Sequence, residues 1–233
     1  MPLAVPRESR DRTKGQFVYR TLRDAIIRCE LPPGQRLVID ELARRFELSI
    51  IPVREALRLL QSEGLVSNVP HVGVTVAPVS RESILEVFTV LEGLELVATR
   101  AAAERAGEKD LLALAELVAQ MDRALAEGAY EQWAELNTRF HLAISERAAM
   151  PMLQEMMQRT LDRWDRVRRH YFKGVLVHRA DHAQAEHHAL LAALRARDLP
   201  RLEQTIRKHN QGAFAAYTQF LESGRNERSQ AVG

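Results

Sequence analysis

Cysteine is almost missing from this chain: Cys29 stands alone among 233 residues. That excludes an internal disulfide framework and fits a reducing cytosol. Long apolar runs are missing too, and nothing approaches the roughly 18 residues of a membrane-spanning helix. The opening MPLAVPRESRDRTKG holds no apolar segment long enough for a secretory signal. Charge of one sign is not in excess, and a formal net charge of +2 does not by itself demand a nucleic-acid partner. The expectation left standing is a cytoplasmic chain with no membrane association. Its 46% hydrophobic and 27% charged fractions are those of a globular protein, and the length suits one large domain or two smaller ones.

What is present falls into two halves. Residues 1–15 include the basic-leaning stretch RESRDRTK and read as a flexible arm able to touch phosphate. Residues 16–79 are punctuated by Pro32, Pro33, Gly34, Pro52, Gly64, Pro70 and Gly73, with Pro78 closing the region. From residue 80 the chain turns to long Ala/Leu/Glu/Arg stretches with few breakers, which favours helix. The helical region is expected over 80–222, with a disordered tail over 223–233.

In the first half, Val18, Leu22 and Ile26, with Ala25 beside them, repeat at helical spacing and predict a helix over 17–29. The run Leu31-Pro32-Pro33-Gly34 ends it. A short helix is expected over 39–46, a tight turn at Glu47-Leu48-Ser49, and a third helix over 51–63. Ser49 suits the N-cap of that helix and Pro52 its first turn. Two β-type segments, 65–69 and 72–77, complete a winged helix-turn-helix. On the third helix Val53, Leu57 and Leu60 form the inward stripe, while Arg54 and Arg58 lie four apart on an outward face suited to guanine edges or phosphates. The same arginines can also serve only to solvate a helix, with Glu55 as a pairing partner.

From residue 80, helices are expected over 80–106, 108–127, 130–147, 150–171, 178–197 and 199–222, an antiparallel bundle of the kind that builds sites from facing helices. The chain has eight histidines, and helical phase sorts them. Trp133, Asn137, Phe140, His141 and Ile144 share one stripe; His187 is in phase with Leu190, Leu191 and Leu194; His209 is in phase with Leu202, Ile206, Ala213 and Phe220. His188 falls off its stripe, and His170, His178 and His182 read as surface or helix-end residues. One inward histidine reads as a hydrogen-bonded core residue. Three on three helices point to a shared divalent ion.

The segments LPPGQRL, ELARRF, PVREAL and EGLV together resemble the DNA-binding domain of the GntR family of regulators, over about residues 16–78. The resemblance implies that Arg44, Ser49, Arg54, Arg58, His71 and Gly73 lie at or near DNA. Family members usually carry arginine then threonine after the serine, where this chain has Ile50 and Ile51; Cys29 stands where the family usually has glycine. LELVATRAAAERA, LNTRFHLAI and AEHHALLAALRARD, with the later His209, resemble the FCD domain of the FadR-like subfamily, over about residues 80–220. Many such domains bind a divalent metal through Asp or Asn and three histidines, close to a carboxylate effector. Carried over residue by residue, the ligands become Asn137, His141, His187 and His209, for an ion of the Zn, Ni or Mn class. Leu91 stands where many relatives have arginine. Leu91, Glu95, Trp133 and Trp164 are the expected effector-pocket residues, although plain core packing is the stronger reading for either tryptophan.

All four expected ligands are neutral, so a bound ion keeps its charge and is expected to couple positively to an organic acid. The full expectation is a ligand-responsive, homodimeric regulator, a repressor by default, on a palindromic double-stranded DNA operator. Two rivals stand beside it. One is a metal-dependent hydrolase with Glu95 as general base; the other is a constitutive DNA-binding dimer whose helical half is purely structural.

Overall fold

The computed structural model describes residues 14–230, with the side chains of 172, 173 and 224–230 set aside. Most of the expected basic arm, residues 1–13, therefore lies outside the described residues. Contacts divide the chain into two compact units, Met1–Val79 and Ser80–Gly233.

In the first unit, α1 (Lys14–Ile27) buries Val18, Leu22, Ala25 and Ile26. Its stripe packs with Leu42 and Phe46 of α2 (Ile39–Phe46) and with Val53, Leu57 and Leu60 of α3 (Ile50–Ser62). Phe17 meets Phe46 edge-on at 5.9 Å, which locks α1 onto α2. Tyr19 and Arg23 both reach Glu63 and tie α1 to the end of α3. Strands β1 (Val66–Val69) and β2 (Gly73–Val76) pair antiparallel in the register Val66 with Val76 and Val69 with Gly73. A bridge from Arg36 to Thr75 and the bond from Leu37 N–H to the Val74 carbonyl brace this hairpin.

Among the described residues the second unit is a bundle of six α-helices: α4 (Arg81–Arg105), α5 (Glu108–Ala126), α6 (Tyr130–Arg147), α7 (Pro151–His170), α8 (Val177–Ala196) and α9 (Leu199–Gln230). Ser80 caps α4 reciprocally with Ser83. Pro151 occupies the first turn of α7, and Asp198 accepts from the backbone of Arg201 at the start of α9. The core lies among α5, α6, α8 and α9 around Trp133, Phe140, Met121 and Leu190; a second cluster, Leu91, Leu94, Met157 and Leu161, joins α4 to α7.

Three features differ from the sequence reading. A π-helical turn, Phe172–Leu176, leads directly into α8, where a plain junction was expected. The last helix runs on to Gln230, past the limit near 222, and no proline interrupts it there. The inward stripe of α9 continues through Asn210 and Tyr217, and Phe220 is exposed.

Candidate functional site

The helix-turn-helix takes its shape from the turn between α2 and α3. Glu47 adopts a left-handed conformation at φ 56°, which ends α2 and folds Leu48 N–H back onto the Ala43 carbonyl. Ser49 occupies the N-cap of α3 with extended backbone, but its hydroxyl makes no cap bond and stays exposed. Pro52, Val53, Ala56, Leu57 and Leu60 face the core. Arg54, Glu55 and Arg58 face solvent, and no ion pair holds either arginine among the described residues. The expected pairing with Glu55 is not found. Arg44 is exposed on α2 and leans on the Asp40 carbonyl at 3.4 Å.

The wing turns at residues 69–72, closed by Val72 N–H to the Val69 carbonyl. Pro70 presets its own φ, and His71 takes the positive φ of 62° that the next corner of such a turn demands. Gly73 follows at φ 95°, a conformation that strains any side chain. Both residues thus sit at the tip of the hairpin, and His71 is exposed.

In the helical unit the three inward histidines meet. His141 of α6, His187 of α8 and His209 of α9 offer ligand atoms within 4.8 Å of one another, and the ring centroids of His187 and His209 are 4.9 Å apart. Asn137, one turn before His141, is 3% exposed and lines the same cavity as His141 and His209. His188 instead binds Asp122 at 2.9 Å on the surface, and His170, His178 and His182 are exposed.

Each ring is oriented by a neighbour. Gln184 donates to the Val118 carbonyl and to Asp122, so its own carbonyl Oε1 is free to accept from Trp133 Nε1–H at 3.0 Å and from His187 Nδ1 at 3.3 Å. His187 Nε2 is left with a lone pair and no partner. Glu186 Oε2 accepts from His209 Nδ1 at 2.9 Å and from Arg179 at 2.5 Å. Glu95 Oε1 stands 2.5 Å from His141 Nδ1 and holds that ring by an ion-pair contact. Its other oxygen accepts from Asn210 at 2.6 Å.

The electrostatics agree with that geometry. Burial pushes the His187 imidazole well below its ordinary pKa, aided by the charges of His209 and His141, so the ring is neutral and ready to ligate. Burial alone would raise the Glu95 carboxyl, yet the charges of His141 and His209 and the Asn210 amide hold it below the usual range. Glu186 is likewise lowered, its burial outweighed by His209 and Arg179.

Three buried acceptors at this site therefore lack a donor: His187 Nε2, Asn137 Oδ1 and Asn210 Oδ1. A proton donor can satisfy only one of them at a time, whereas a cation carries no directional demand and can satisfy several. Three imidazoles and an amide oxygen suit a borderline divalent ion. The residues fit such an ion, with Asn137, His141, His187 and His209 to hold it.

Beside the histidines lies a narrow, largely apolar cavity lined by Phe88, Leu91, Trp133, Trp164, Tyr217 and Arg179, among others. Of the expected pocket residues, Leu91, Trp133 and Trp164 line it; Glu95 does not, and contacts His141 instead. Arg179 was missed by the sequence reading. One of its guanidinium nitrogens bonds Glu186 and the other, Nη1, is buried without a partner. Glu95 and Glu186 each stand against a proposed ligand, so two carboxylates adjoin the four neutral side chains.

Comparison with known proteins comes to the same two units. Residues 14–76 match the family described as bacterial regulatory proteins, gntR family, and residues 86–212 match the FCD domain. The chain is 34% identical over 168 residues (72% of this chain, 76% of the relative) to the HTH-type transcriptional regulator McbR of Escherichia coli (strain K12). It is 31% identical over 197 residues (82% and 90%) to the HTH-type transcriptional repressor GlaR of the same organism. Among solved structures, E. coli McbR/YncC superposes with a TM-score of 0.72 at 30% identity, covering 90% of this chain and 99% of that one.

Proposed function

Because the chain belongs to the GntR family of transcriptional regulators and carries the FCD domain, we propose that it is a repressor controlled by a small carboxylic acid that binds beside a divalent metal. DNA binding and transcriptional regulation belong to the family, and the family and these relatives are regulators rather than enzymes. The hydrolase reading is thereby set aside. No described helix is long and apolar enough to cross a membrane.

The observation that carries the ligand reading is the set of donorless buried acceptors around three converging histidines. Asn137, His141, His187 and His209 are the proposed ligands. Charge explains why acid and metal should act together. With the imidazoles neutral, as ligation requires, Glu95 and Glu186 outweigh Arg179 and leave the site negative. A divalent ion reverses that sign and makes the cavity receptive to an anion. The unpartnered Nη1 of Arg179 donates a hydrogen bond to the carboxylate, and the aromatic walls receive an apolar body.

On the DNA side, Ser49, Arg54 and Arg58 present α3 to the major groove, Arg44 supports from α2, and His71 and Gly73 shape the wing for backbone or minor-groove contact. Two winged units in a homodimer would read a palindromic operator, and acid binding would shift their fit to the two half-sites. GlaR is named a repressor, which favours that sign here.

Fragments of the source genome retained by the purified protein at moderate salt test the reading. A short palindrome upstream of a few genes supports it, and the enzymes encoded there narrow the acid. No enrichment at low or moderate salt contradicts it.

A further inference from the structure

Two aliphatic side chains stand in solvent at the head of α3: Ile51 is 68% exposed and Ile50 39%. Ile50, Arg54 and Arg58 follow at four-residue intervals and form one ridge, and Ile51 lies beside it on the same outward face. The next two residues, Pro52 and Val53, are buried, so packing of the helix start does not call on the isoleucines. Their neighbours on that surface are Ser49, Arg54, Glu55 and Arg58, all exposed. A bare apolar pair within a polar, partly cationic face needs a partner with an apolar group to meet it.

The first residues of a recognition helix are those that reach base edges. In the major groove the edges present donors and acceptors, with one apolar exception, the C5 methyl of thymine. A branched aliphatic chain has no polar atom to offer. Set against guanine O6 and N7, or cytosine N4, it would strip water from those groups and leave them unpaired. Against a thymine methyl it buries carbon on carbon.

We propose that Ile50 and Ile51 read thymine methyl groups, so that each operator half-site carries thymine where the start of α3 meets the groove. Arg54 and Arg58 then take the guanine edges or phosphates one and two turns further along. This inference rests on α3 being the recognition helix. It turns the two positions that depart from the family's usual residues into determinants of this protein's own operator sequence.

The test begins with duplexes selected from random, unmethylated synthetic DNA, which commits any C5 methyl to thymine. If no sequence is enriched, the recognition-helix reading fails and this inference with it. Given an enriched duplex, thymines are replaced singly by deoxyuridine, which removes the methyl and keeps every hydrogen-bonding edge. One or two replacements per half-site should each weaken binding about fourfold, the worth of burying one methyl-sized group. The Ile50→Ala, Ile51→Ala double variant should bind thymine and uridine duplexes equally. Because both side chains are exposed, it should melt where the parent does. Parent protein that binds every uridine duplex as tightly as the thymine one overturns the proposal. So does a double variant that weakens on both duplexes alike and changes oligomeric state, which would assign the pair to a protein contact.

Discussion

The carbonyl of Gln184 meets Nδ1 of His187 at 3.3 Å while the amide nitrogen of the same side chain donates to Val118 and Asp122. The glutamine cannot turn over without losing both donations, so His187 must carry its proton on Nδ1 and keep Nε2 for a ligand. Trp133 depends on the same oxygen. Gln184→Leu should therefore weaken metal binding about 10- to 100-fold, the usual cost of losing an outer partner of a ligating histidine. Competition against a chromophoric chelator measures this. Unchanged affinity in a folded variant would show that Gln184 serves only Trp133.

Metal should stabilise the helical unit by mass action. Zinc held at about 100 times its dissociation constant contributes ~2.7 kcal/mol. Thermal unfolding should move upward with zinc and return with chelator, and His187→Ala should abolish the shift. A melting curve indifferent to zinc, nickel and manganese would refute the four-ligand site.

Arg179 should govern acid binding more than metal binding. Replacing it with methionine removes the donor and the charge, and loss of a charged hydrogen bond costs about 1.5–3 kcal/mol, or roughly ten- to a hundredfold in acid affinity. Titration calorimetry with acetate, butyrate and hexanoate on zinc-loaded protein reads the effect. Metal affinity should change far less, because Glu186 still holds His209. Equal losses of acid and zinc would make Arg179 a prop for the histidines.

Arg54 and Arg58 are exposed and unpaired among the described residues, so alanine at either should leave the fold intact and act on DNA alone. If the arginine reads a guanine, the loss is about 1–3 kcal/mol and specificity relaxes at one base pair. If it binds phosphate, affinity falls evenly across sequences and the salt slope shrinks by about one. Wild-type affinity in both variants would remove α3 from the interface.

Much of this was legible in the residues. The inward stripes of α1 and α3 follow from apolar spacing, because a short helix against one core has little freedom to rotate. Phase also placed His141, His187 and His209 together, since each sits within a run of buried leucines, isoleucines or phenylalanine that fixes the rotation of its helix. What orients them was not legible. Glu186 lies off the apolar stripe of α8, yet its length carries the carboxylate across to His209 on α9. Arg179, Gln184 and Asn210 find partners on other helices, and such pairings depend on crossing geometry that periodicity does not encode. The π-helical turn at Phe172–Leu176 carries no local signature, and it resets the phase on which α8 begins.

The central claim is that metal and acid together set the affinity for DNA. Operator binding, followed by fluorescence anisotropy at one salt concentration, tests it in four states: chelated or zinc-loaded, each with and without a short monocarboxylate. The account predicts that the acid changes the dissociation constant about fivefold or more in the zinc-loaded protein and leaves the chelated protein unmoved. One affinity in all four states, across the acid series and with nickel or manganese in place of zinc, would contradict it and leave a constitutive DNA-binding protein whose histidines are structural.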